Sequence, residues 1–143
     1  MSQQESVRQR TEPSPRGLLR RGVVALVLAV VANLVVTAVG RTAAIAPEFP
    51  PLSYRPVALF TALGVVGAVV VYALLRRVTA RPDRNFAVVA AVVLVVSLVP
   101  DVTFAPTLPG ATTAGIGALM LMHVLTAVIC VAVLTDRYGV GVS

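Results

Sequence analysis

Four uncharged apolar runs, at 22–40, 56–75, 85–100 and 114–135, alternate along the chain with short polar segments that gather nearly all of its charge, proline and turn chemistry. At about 1.5 Å per residue, the first run as a helix comes close to the roughly 30 Å of a bilayer's hydrocarbon layer. Its valine content would suit a buried strand in water. In lipid, however, every backbone amide needs a partner inside its own segment, and a lone strand supplies none, so helix is the predicted state. The run 56–75 has similar length, with Pro56 placed where the first turn of a helix tolerates it. The third run, 85–100, is shorter, about 24 Å as a helix, and is expected to stand with little tilt or to borrow flanking residues. The fourth, 114–135, is again long enough to span. The pattern predicts an all-α integral membrane bundle of four transmembrane helices.

The connecting segments set an orientation. Residues 41–55 hold three prolines, Glu48 and the interfacial aromatic Tyr54, and residues 101–113 hold two prolines and Gly110; both read as outward loops. Residues 76–84 carry four arginines against one acid and belong inside. Residues 1–21, with five arginines and two prolines, read as a disordered cytoplasmic tail, broken at most by a short amphipathic stretch around Leu18 and Leu19. Residues 136–143 form a short cytoplasmic end. The first run also has the look of a signal peptide, with Ala44-Ile45-Ala46 as a small-residue cleavage site, but it is longer than the usual apolar region, Pro47 would follow the cut, and further spans come after it.

Composition agrees with lipid as the main solvent. The chain is 57% hydrophobic and 13% charged, with a mean hydropathy of +0.90, against roughly 45–50% apolar residues in soluble domains. All twelve cationic residues are arginine; ten fall on the side of the tails and the middle loop and two, Arg41 and Arg55, on the other. This positive-inside asymmetry places both termini in the cytoplasm, for a chain in the inner (plasma) membrane of a prokaryote. The arginines are then suited to anionic lipid headgroups. Nucleic acid is not expected as a partner, because zinc-ligand spacing, aromatic-basic interleaving and a soluble reading element are all missing.

Polar residues inside the spans are the candidates for chemistry, since lipid cannot satisfy them. They are Asn33 in the first run, Thr61 in the second, Ser97 in the third and His123 in the fourth. Asn33 and His123 fall at similar depths and could meet, either as a packing hydrogen bond or as part of an intramembrane polar site with Ser97. His123, the single histidine, is able in principle to ligate metal or haem or to relay a proton. Met120, Met122 and Cys130 scatter around the helix relative to it, so no metal site or cofactor is expected, and no carboxylate is expected within the membrane to complete a proton path. Pro100 and Asp101 mark the outer boundary of the third run, where proline ends the helix and Asp101 reaches the headgroups, a boundary pair or a cation site. Cys130, the one cysteine, reads as packing.

Small residues spaced by four, Ala25 with Ala29, Gly64 with Ala68, and Ala114 with Ala118, predict close helix packing, within the bundle or against a second copy or a membrane partner. No phosphate loop, HExxH, Ser-His-Asp set or acidic pair is present, so an enzyme is not expected. The leading reading is a non-enzymatic protein acting through helix packing with itself or a membrane partner. The alternative is a small transporter or ligand-binding membrane subunit that uses His123, Asn33 and Ser97.

The second half carries a resemblance. Arg84 through Thr135, with Phe86, then Ser97-Leu98-Val99-Pro100, then Ala118-Leu119-Met120-Leu121-Met122-His123, resembles an uncharacterised prokaryotic family of four-pass membrane proteins known as a domain of unknown function. The resemblance implies four helices and brings no activity, ligand or catalytic residue.

Overall fold

The computed structural model describes residues 15–135, and the readings of 1–14 and 136–143 as tails lie outside them. Four antiparallel α-helices make up the bundle: α1 (Pro15–Thr42), α2 (Tyr54–Val78), α3 (Pro82–Thr103) and α4 (Thr113–Leu134). All four are long and apolar enough to cross a membrane. The chain is thus a multi-pass membrane protein built as predicted from uncharged runs, though the helices overrun those runs at several ends.

Helix α1 starts at Pro15, so residues 15–21, read from the sequence as part of a disordered tail, are helical. At 28 residues and about 1.5 Å per residue it measures roughly 42 Å, longer than the hydrocarbon layer is thick. Two contacts hold the extra turns. Leu18 packs against the core at that end, and Arg21 donates to the Leu134 carbonyl at 3.3 Å, supplying a cation to the C-terminal end of α4.

Helix α3 is also longer than expected. It begins at Pro82, which suits the first turn, with Asp83 near the positive end of the helix dipole. Pro100 does not end it: the helix runs on to Thr103, and the Phe104 amide closes on the Pro100 carbonyl at 2.9 Å. Proline lacks its own N–H and its ring crowds the preceding turn, but this close to the helix end only one bond is lost, and the Pro100 carbonyl still accepts the next.

Helix α1 is the hub, with extensive contacts to both α2 and α4. Its buried stripe is Gly22, Ala25, Ala29, Asn33, Thr37 and Gly40, small side chains that let neighbours approach closely. At Gly22 an added Cβ would lie 3.0 Å from Val69. Two apolar clusters cap the bundle. One, at the end with the Thr79–Arg81 connection, joins Ala25, Tyr72, Phe86, Cys130 and Leu134. The other, at the end with the two long loops, joins Ala46, Phe49, Leu52, Ala105 and Met122.

The long loops are tied to each other and to α4. Thr112 caps α4, accepting from the Gly115 amide at 3.0 Å and donating to the Ile45 carbonyl at 2.9 Å. Gly115 lies so close to the first loop that a Cβ would come within 2.8 Å of the Ala46 Cβ. These contacts place α1, α2 and α4 firmly. Helix α3 packs mainly on α4 and touches α2 chiefly at the connection end, where Tyr72 donates to Asp83 at 2.6 Å and its ring meets Phe86 edge-on, 5.1 Å between centroids.

Candidate functional site

Because α2 and α3 are fastened at one end, they part toward the other and leave a cleft of about 880 Å³ open between them. Gly64 and Gly67 lie on its α2 wall, where an added Cβ would meet nothing within 4 Å. Phe60 and Val71 extend the same wall, Val89, Ala90 and Val93 the facing one, so the sides are apolar. The floor, made by α1 and α4 with Thr61 of α2 and the far turns of α3, carries the polar groups: Asn33, Thr61, Thr126, His123, Ser97 and Asp101.

Asn33 is 2% exposed and joins three helices. Its Nδ2 donates to Thr61 Oγ1 on α2 and to Thr126 Oγ1 on α4, both at 2.9 Å. The Thr126 hydroxyl donates to the Met122 carbonyl at 2.9 Å, leaving only lone pairs for Asn33 and so fixing the amide with nitrogen on that side. Oδ1 is left buried without a hydrogen-bond partner among the described residues. The two interhelical bonds contribute roughly 0.6 kcal/mol each by the membrane average, enough to set register.

His123 does not bond Asn33, although both line the cleft floor; Asn33 reaches Thr126, one turn beyond His123 on α4. The partner of His123 is Asp101, with Nδ1 3.0 Å from Oδ2. Nδ1 also lies 2.9 Å from the Leu119 carbonyl. A ring nitrogen facing two acceptors must carry the hydrogen, shared between them, so Nε2 holds either a lone pair or a second proton. Among the described residues Asp101 Oδ2 has no other partner.

Asp101 therefore differs from its expected role at the headgroups. It is 6% exposed and turned into the bundle, on a helix that continues past Pro100 within the span of α3. The expectation of no carboxylate within the membrane segments is corrected by the same observation: one is present, beside the single histidine. Ser97 lies one turn earlier on the same face, half-buried, its hydroxyl donating to the Leu94 carbonyl at 2.7 Å. Among the described residues no three His, Cys, Asp or Glu side chains come together, so Asp101 and His123 stand without a third such ligand.

Of the small-residue pairs, only Ala25 and Ala29 are fully buried in helix packing. Gly64 opens onto the cleft, with Ala68 beside it, and Ala114 is exposed while Ala118 packs against the loop-end cluster. Gly115 makes the close approach near the start of α4 instead. Thr126 was not singled out by sequence reasoning, yet its position three residues after His123 puts it on the same helix face, a signal available from spacing. Cys130 is buried in the connection-end cluster and also borders the cleft.

A family model described as a family of unknown function, DUF6069, matches residues 13–139. The chain belongs to this family. The match takes in all four helices of the DUF6069 bundle and every residue of the cleft floor. Neither a search of curated proteins nor one of solved structures gave a match.

Proposed function

We propose that this DUF6069 bundle is a non-enzymatic membrane protein that binds a small ligand in the cleft between α2 and α3, as a carrier or a binding subunit. One observation carries the reading: an Asp101–His123 pair and a vacant Asn33 oxygen are gathered on the floor of a cleft whose walls are otherwise apolar. Ligand sites have this composition, a mostly apolar concavity of about 300–1,000 Å³ with a few convergent polar groups. Polar groups within a membrane segment are costly unless they serve a purpose there. The two wall glycines support the same reading, because they widen the cleft and tighten no helix contact.

Gly64→Leu is a plug that the fold accommodates, since nothing lies within 4 Å of the position of its Cβ. Protein extracted gently from native membranes should carry a stoichiometric small-molecule adduct in native mass spectrometry. The Gly64→Leu variant should lose that adduct while melting within a few degrees of the parent. A parent chain that flies at its bare mass from native membranes would remove the basis for the reading.

The arginine asymmetry, ten against two, supports an orientation with both termini in the cytoplasm of a prokaryotic cell and the cleft widening toward the outer face. A C-terminal green fluorescent protein fusion is expected to fluoresce and a C-terminal alkaline phosphatase fusion to be inactive; the opposite pair of results reverses the orientation.

A further inference from the structure

The charges around the cleft select what it takes. Among the described residues lining it there is no arginine or lysine, and the only ionisable pair on its floor is Asp101 with His123. With a neutral imidazole and an ionised Asp101 the floor carries one negative charge; with an imidazolium it carries none. An anion meets no net positive charge there in either state.

The hydrogen-bonding capacity leans the same way. Among the described residues Asn33 Oδ1 is buried and unpartnered, and Asp101 Oδ2 has only its share of one Nδ1 hydrogen. The neutral ring, with Nδ1 committed, adds an Nε2 lone pair. Acceptors are in excess on the floor. An occupant that satisfies them brings several N–H or O–H groups, and one that gains most beside a carboxylate brings a positive charge as well. Above the floor, Phe60, Gly64, Gly67, Ala90 and Val93 offer an apolar channel that opens between two membrane-spanning helices.

Resting on the binding reading above, we infer that the cleft accepts a single-chain amphipath with a protonated amine head, taken from the bilayer between α2 and α3. The ammonium donates to Asp101, and Asn33 Oδ1 stands as a further acceptor next along the floor, where Thr126 and His123 are one turn apart on α4. The alkyl chain lies along the glycine side of α2. A carboxylate head of the same chain length is rejected, because it would face Asp101 on a floor that carries no net positive charge.

The test uses the whole protein in zwitterionic phosphatidylcholine nanodiscs, titrated with dodecylamine, dodecanol and dodecanoate as matched probes. Dodecylamine is expected to bind saturably at one per chain, about tenfold or more tighter than dodecanol, as suits one charge-assisted hydrogen bond. Dodecanoate should bind weakest. Asp101→Asn, nearly isosteric, should remove the preference for the amine, bringing dodecylamine to about the affinity of dodecanol, while Gly64→Leu should weaken all three. Dodecanoate binding as tightly as dodecylamine, or an amine preference that survives in Asp101→Asn, overturns the ligand class and leaves the cleft as a binding site. No saturable binding of any of the three probes overturns both the class and the binding reading.

Discussion

His123→Leu is expected to destabilise the bundle by about 3 kcal/mol, and adding Asp101→Val to it is expected to restore most of the loss. Removing one partner of a buried pair typically costs about 3–5 kcal/mol, because the remaining charge is left in a poor solvent. The lower end applies here because the His123 side chain is 39% exposed, although that of Asp101 is only 9% exposed. Replacing both partners by apolar side chains removes the orphan, and such replacements are often neutral or stabilising. Unfolding in mild detergent, followed by denaturant titration of the parent, both single variants and the double variant, gives the coupling energy directly. Strictly additive effects would show that the two side chains do not act as a pair.

Gly110→Ala is expected to be the most damaging substitution in the loops, again at about 3 kcal/mol. Gly110 has φ of +71°, a left-handed conformation that costs an L-residue about 1–2 kcal/mol. Its position is also crowded: a Cβ there would lie 2.6 Å from the backbone carbon and oxygen of Glu48 and 2.9 Å from the Phe49 nitrogen. Backbone cannot step aside as a flexible side chain can, so an overpacking penalty of about 1–3 kcal/mol adds to the first. Gly64→Ala is the control, a glycine in a helix with open space around it, and should leave the midpoint of thermal unfolding unchanged or slightly raised. Equal effects at the two glycines would mean that the loops do not meet as described.

The four helices were legible because lipid imposes a simple rule: charge is expelled from long stretches, and 22–40, 56–75, 85–100 and 114–135 show it without reference to any partner. Their ends were less so, because ends depend on contacts. Residues 15–21 look like a tail until Leu18 finds the core and Arg21 finds Leu134. Pro100 followed by Asp101 looks like a stop until Asp101 is seen to face His123, which lies on another helix.

The same distinction divides the site. Asn33, Ser97 and His123 stood out because each is polar within an apolar run, and all three do line one cleft. Which of them bond was not accessible from depth alone: Asn33 meets Thr126, 93 residues away, rather than His123. Small-residue spacing announces that backbones can come close without saying that they do. Ala25 and Ala29 realise the approach, whereas Gly64 lies where two helices part.

The Tyr72 clasp with Asp83 and Phe86 makes α2 and α3 the two arms of a tweezer with its pivot at one face of the bilayer. An arm of 22 residues is roughly 33 Å long, so a turn of about 5° at the pivot swings its tip by about 3 Å. Since α3 is held on the far side to α4 through Asp101 and His123, the jaws cannot spread freely, and whatever engages Asp101 also acts on how wide they stand.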